Sequence, residues 1–95
     1  MASHPRDLMG NLEERTANFR QRIIPWLQAS ILLSQAKVLE IGCGAGSSTI
    51  ALAEAGALVT AVDIDEQDIV LAHRRWQEFQ LGDRVEFFSA NAVEV

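Results

Sequence analysis

The sequence predicts an α/β fold built on a parallel sheet, and three observations predict it. Short apolar runs at Val38–Ile41, Leu58–Val62 and Val85–Phe88 alternate with helical stretches. A glycine-rich turn, Gly42 to Gly46, joins the first run to the helix after it. The second run is apolar at four of its five positions, as a strand buried on both faces of a parallel sheet would be. Right-handed crossovers then force the three strands into one sheet with spatial order 3-2-1.

The elements follow in order. Leu8, Leu12, Phe19 and Ile23 fall at helical spacings among Glu13, Glu14, Arg15, Arg20 and Arg22, which reads as an amphipathic helix. Pro25 is expected to break or kink it, and to open a second short helix, Trp26 to Leu33, that buries Trp26, Leu27, Ile31 and Leu33. Near Lys37 the period changes. After the first strand and the glycine turn, Ser47 to Ala55 reads as a helix closed by Gly56. After the second strand, Asp65 reads as the cap of a helix with Asp68 completing an acidic capping box, and with Ile69, Ala72, Trp76 and Phe79 along its buried face. Gly82-Asp83 turns the chain into the third strand, and Ser89 to Ala92 leaves its C-terminal end. Residues 1–36 are thus expected to be N-terminal cap helices, and residues 37–95 the first half of a doubly wound, Rossmann-like parallel sheet. If 95 residues is the whole chain, the first strand is an exposed apolar edge, and self-association through it is expected.

Composition narrows the function. Ninety-five residues allow one compact unit, which buries only about 60 to 65% of its unfolded surface. Eight basic against thirteen acidic residues argue against a binder of nucleic acid or anionic membrane, which needs a basic surface. The charge is uneven, with four arginines against three acids up to residue 36 and four basic against ten acidic residues afterwards. The second segment therefore favours a cationic or neutral ligand. Cys43 is the single cysteine, so no internal disulfide forms, no Cys/His cluster offers a metal site, and a reducing cytoplasm is the expected compartment. The N-terminus has no apolar signal region, and the longest uncharged run, residues 23–36, is interrupted by Pro25, Gln28, Ser30, Ser34 and Gln35, so neither a signal peptide nor a membrane span is read.

The stretch that carries chemistry is Glu40-Ile41-Gly42-Cys43-Gly44-Ala45-Gly46, followed by Asp63 at the tip of the second strand. Gly42 permits the tight turn out of the strand, Gly44 removes a side chain where a ligand must lie against backbone, and Gly46 lets the next helix start close to the sheet. Asp63 stands 21 residues after Gly42, where its two oxygens can accept from both hydroxyls of a ribose. A dinucleotide fingerprint would place a third glycine at position 47, which is Ser47. Glu40 and the surrounding acids also suit a positively charged ligand better than a pyrophosphate.

These residues resemble the class I S-adenosylmethionine-dependent methyltransferases from about Lys37 to Ala92. Val38 to Gly46 is similar to the family's E/D-x-G-x-G-x-G loop, and the resemblance implies that Glu40 and the backbone of Gly42, Cys43, Gly44 and Gly46 hold the methionine end of S-adenosylmethionine. It implies that Asp63 binds the ribose hydroxyls and that Ile64 packs on adenine. Asn91-Ala92 stands where the family has an acid followed by a small residue, so Asn91 would accept from the adenine amino group through its amide oxygen. The helices before the first strand resemble the cap that such enzymes fold over the cofactor. The substrate pocket and any general base come from later elements in that family, so no catalytic residue is assigned, and a small molecule is the expected, unidentified acceptor. The rival readings are a non-catalytic module that binds the cofactor or a partner, and a nicotinamide dehydrogenase fragment, which Ser47 disfavours.

Plainer roles are expected for the remaining candidates. Asp65 is a helix cap and Cys43 a small packing residue beside the cofactor. His73, Arg74 and Arg75 read as a solvated helix face, and His4 as part of a frayed terminus. Trp76 and Phe79 read as core, and Arg15, Arg20 and Arg22 as surface charge rather than partners for a cofactor carboxylate.

Overall fold

A computed structural model of the chain describes residues 5–80 and 82–90. Helix α1 (Pro5–Asn18) starts with proline at its first position, where the missing N–H costs nothing. It does not break before Pro25. It runs into a π turn, Phe19–Ile23, and straight on into α2 (Ile24–Gln28). The π turn is the accommodation of Pro25, which has no N–H to offer the carbonyl four residues back and whose ring would strike it. The widened turn carries one extra residue, so the face rotates and Ile24, rather than Ile23, enters the core. The expected helix Trp26 to Leu33 is accordingly not found. A short 3-10 turn, Leu33–Gln35, follows instead, with Leu33 buried but Trp26 72% and Ile31 46% exposed. The side chain of Leu8, like His4, lies outside the described residues.

The rest follows the expected order: β1 (Lys37–Ile41), α3 (Ser47–Glu54), β2 (Leu58–Asp63), α4 (Glu66–Phe79) and β3 (Val85–Ser89). The strands pair in parallel in the order β1-β2-β3, with Val38 beside Val59 and Val59 beside Val85. Gly56 closes α3 with its backbone against Ser34. Asp65 caps α4, accepting from the N–H groups of Gln67 and Asp68. The reciprocal bond of a capping box is absent, because the Asp65 N–H is already donated to Asp63 Oδ1 at 2.9 Å.

Because both crossovers advance in the same direction, α3 and α4 lie on one face of the sheet. Val38, Val59, Ala61, Val85 and Phe87 of that face pack with Ala51 and Leu52 of α3, Trp76 of α4, and Ile24 and Leu33. Burying a Leu, Ile or Val of this kind is worth about 1.5 to 3 kcal/mol. On the opposite face Val62 of the central strand is buried between its neighbours, but Leu39, Ile41, Leu58 and Phe88 are exposed, so among the described residues helices cover the sheet on one side rather than on both. Two further expectations change. Arg75 is buried at 5% exposure, whereas Phe79 is 39% exposed and carries the Arg20 guanidinium 5.4 Å above its ring. Among the described residues no helix is long and apolar enough to cross a membrane.

Candidate functional site

The glycine loop and the tip of β2 meet at the C-terminal edge of the sheet, where parallel α/β folds place their ligands. As β1 ends, the N–H groups of Gly42 and Cys43 both donate to the Val62 carbonyl, at 2.7 and 3.1 Å, which turns the loop over β2. Asp63 then reaches back. Its Oδ2 accepts from the Gly44 N–H at 2.9 Å and its Oδ1 from the Asp65 N–H. The two bonds hold the Asp63 carboxyl below the ordinary carboxylate range, the Asp65 N–H contributing most. Each oxygen keeps a lone pair for a further donor, the requirement for grasping a diol.

Gly42 and Gly44 adopt φ of +75° and +55°, and a side chain built on either would meet nothing within 4 Å. The loop therefore presents bare backbone to open space, a cradle that any Cβ would fill. Gly46 is different. A Cβ there would lie 3.0 Å from Ala72 Cβ, so this glycine serves the close approach of α4, where the sequence had suggested an approach of α3 to the sheet.

Glu40 faces the first turn of α3, where its carboxylate accepts from the hydroxyls of Ser48 and Thr49. A carboxylate at a helix N-terminus also gains from the helix dipole. Cys43 is buried, and burial followed by the Glu40 and Asp63 carboxylates pushes its thiol up to about 12, which suits packing and not nucleophilic chemistry. Ile64 is 72% exposed at the β2 tip, an apolar platform beside Asp63. The Ala90 N–H donates to the Asp63 carbonyl at 3.0 Å. Asn91 and Ala92 lie outside the described residues.

A cleft of about 340 Å³ separates the loop from the helices before β1, walled by Leu12, Arg15, Asn18 and Phe19 on one side and Gly42 to Ala45, Ser47 and Ser48 on the other. Arg15, read as surface charge, thus belongs to a wall of the site, whereas Arg20 is committed to Glu54 at 2.8 Å. Ser47, where a dinucleotide fingerprint has glycine, donates to the Leu12 carbonyl at 3.2 Å. Another cleft, of about 370 Å³, opens at the far end of the strands around Lys37, Leu58 and Arg84, away from every candidate residue.

Two participants were missed from the sequence. Arg75 and Thr16 bond each other beneath the cleft, and both lie on apolar stripes, Arg75 three residues after Ala72 and Thr16 four after Leu12. That spacing was the available signal. The Asp63, Asp65 and Asp68 carboxylates make the rim acidic, and the Asp68 carboxyl is raised by partial burial and then by its two neighbours.

A parallel sheet, a bare glycine loop and an acid at the next strand's tip together define a nucleoside-binding α/β domain. Residues 38–95 match the family model described as "Methyltransferase domain". The chain is 35% identical over 71 residues to a ubiquinone biosynthesis O-methyltransferase of Aromatoleum aromaticum, covering 75% of this chain and 30% of that protein. It is 43% identical over 74 residues to the magnesium-protoporphyrin O-methyltransferase of Synechocystis sp., covering 77% of this chain and 32% of that protein. The crystal structure of magnesium protoporphyrin IX methyltransferase from Synechocystis with bound S-adenosylhomocysteine aligns over the whole chain and 44% of its own, with a TM-score of 0.77 and 27% identity. The chain belongs to the class I S-adenosylmethionine-dependent methyltransferase family, and it spans about 30% of the length of these curated relatives.

Proposed function

We propose that the chain is the cofactor-binding portion of an S-adenosylmethionine-dependent methyltransferase whose acceptor is a small molecule. The observation that carries this reading is the cradle over Gly42 and Gly44 beside the Asp63 carboxylate. The relatives' names support an oxygen on a small molecule as the acceptor class. When bound, the cofactor would supply an electrophilic sulfonium methyl open to in-line attack by an acceptor lone pair, with the C–S bond breaking and its electrons passing to the sulfur that leaves.

The chain's own residues bind and orient. Asp63 offers one free lone pair per oxygen to the ribose hydroxyls, and Ile64 offers an apolar surface to the adenine. Asn91 and Ala92 are assigned to the adenine from the family resemblance alone. Gly42, Cys43 and Gly44 present backbone to the amino-acid end, with Gly46 fixing the loop on α4. Glu40, braced by Ser48 and Thr49, supplies negative charge near a cationic ligand. The α1 wall excludes water from one side, and exclusion and positioning carry much of the rate in such a displacement. Among the described residues lining the cleft there is no carboxylate, histidine or lysine, and no general base is assigned.

Calorimetric titration of the 95-residue chain with S-adenosylhomocysteine and with S-adenosylmethionine is the test. Binding is expected, with Asp63→Ala weakening it at least tenfold. No affinity for either form overturns the reading, and NADH binding that depends on Asp63 replaces it with the dehydrogenase. Binding without turnover of any acceptor favours a non-catalytic module.

A further inference from the structure

We propose that Arg75 is a positioning residue that locks helix α1 to the glycine loop, so that both walls of the cofactor cleft are held as one unit. The lock rests on geometry, and its consequence for the cofactor rests on the function proposed above. Arg75 projects from α4 with 5% of its surface exposed. One terminal nitrogen, Nη1, donates to the Ala45 carbonyl at 2.6 Å and to Ser47 Oγ at 3.2 Å. The other, Nη2, donates to Thr16 Oγ1 at 3.1 Å. Thr16, 2% exposed, donates a hydrogen bond from its hydroxyl to the Leu12 carbonyl at 2.8 Å, and Ser47 Oγ donates to the same carbonyl.

One guanidinium thus joins four elements: the glycine loop, the start of α3, helix α1 and its own α4. It forms no ion pair among the described residues, where the pair found is Arg20 with Glu54. A buried cation whose hydrogen bonds here all go to neutral acceptors, with the Glu13 and Glu78 carboxylates acting on it only through space, is costly to place, and a core that needed merely to be filled would hold an aliphatic side chain there. The acceptors are also not scattered through the core. Of the three acceptors, Ala45 and Ser47 line the cleft on the loop side, and Thr16 bonds to Leu12, which lines the other side. The Ala45 carbonyl fixes the Ala45–Gly46 peptide, immediately between the Gly44 N–H that Asp63 holds and the Gly46 Cα that rests on Ala72. Successive turns of α4 therefore seat the loop, and the second of them extends the hold to α1. Only a planar fork with two separate nitrogens spans these partners, and an ammonium does not.

The test compares amide hydrogen exchange and calorimetric binding of S-adenosylhomocysteine across variants of the 95-residue chain. Arg75→Met is expected to speed exchange at least tenfold both in α1 around Thr16 and in the loop from Gly44 to Ser47. The amides of β2 keep their rates, and affinity falls at least tenfold. Arg75→Lys is expected to restore protection of the loop, through one bond to the Ala45 carbonyl, and not of α1. If Arg75→Met does not fold, as judged by its circular dichroism, Thr16→Val carries the test: α1 alone exchanges faster and the affinity falls about three- to tenfold. Unchanged exchange in α1, or uniform acceleration across the whole chain, overturns the lock. A parent chain that binds no S-adenosylhomocysteine sinks the cofactor reading, while exchange, which needs no ligand, still decides the lock. Equal affinity with and without Arg75 overturns the inference and leaves the cofactor reading intact.

Discussion

Gly44 and Gly46 stand two residues apart with φ of +55° and +86°, yet alanine should damage them in different ways. At Gly46 the new methyl meets Ala72 Cβ at 3.0 Å and its Cα at 3.5 Å, so strain and overpacking add. Gly46→Ala is expected to lower stability by about 2 to 4 kcal/mol in urea denaturation. At Gly44 the methyl meets nothing, and the backbone strain is about 1 kcal/mol. Gly44→Ala should therefore stay folded and lose at least tenfold in S-adenosylhomocysteine affinity. Equal stability losses, or undiminished binding at Gly44, would count against this division of labour. Cys43 gives a second residue-level prediction. A thiol moved from 9.0 to about 12 carries about a thousandfold less thiolate at neutral pH, so labelling by a thiol reagent in the native state should be slow and become fast only on unfolding. Prompt native labelling would contradict it. The turn glycines and the Asp63 carboxylate beside them were legible in the sequence because a tight strand-to-helix turn and an acid at the next strand's tip demand particular residue types at fixed spacing. Arg75 was not, because it stands in a His73-Arg74-Arg75 run whose polarity outweighed its place on the Ala72 stripe.

At the scale of elements, strand and helix order was legible from period alone, and α3, β2 and α4 begin within about a residue of where capping and turn residues place them. The stretch around Pro25 was not, since proline can be accommodated either by ending a helix or by widening a turn, and the choice depends on which side chains the core receives. Ile24 wins the buried place, and Trp26 is left outside. The bonds from Asp63 tie β2 to both the glycine loop and α4, and this junction should be pH-sensitive. A carboxyl whose folded value lies below its usual 3.8 contributes stability that is fully present above 3.8 and is lost as pH falls through the folded value. Asp63→Asn should thus be less stable than the parent at neutral pH, and the difference should shrink below pH 3.8. Asp68, raised in the folded state chiefly by burial, titrates in the opposite sense; the burial and Asp65 contributions are common to both chains and cancel, while the smaller one from Asp63 is absent from the variant and works against the expected loss. A stability difference that stays constant down to strongly acid pH would show that the charge of Asp63 is not what holds the junction.

At the scale of the whole molecule, handedness determines the strand order from the element order alone, whereas the covering of the sheet could not be read from apolar strands, which state only that a face seeks burial. In this chain one face is packed by α3 and α4, and the other carries Leu39, Ile41, Leu58 and Phe88 at about half exposure each. Strand β1 also forms an edge of the sheet, with its outer N–H and C=O groups unpaired to any described strand. An apolar edge beside an apolar face is a template for pairing. The 95-residue chain on its own should therefore self-associate through β1, seen as a molar mass that rises with concentration in size-exclusion chromatography with light scattering. Leu39→Lys with Ile41→Lys should shift it to monomer while leaving the far-ultraviolet circular dichroism unchanged, because both side chains point away from the packed face and each brings a charge that resists a second strand. A parent chain that stays monomeric at all concentrations would show that the exposed face is tolerated without a partner, and that β1 is not a pairing edge in solution.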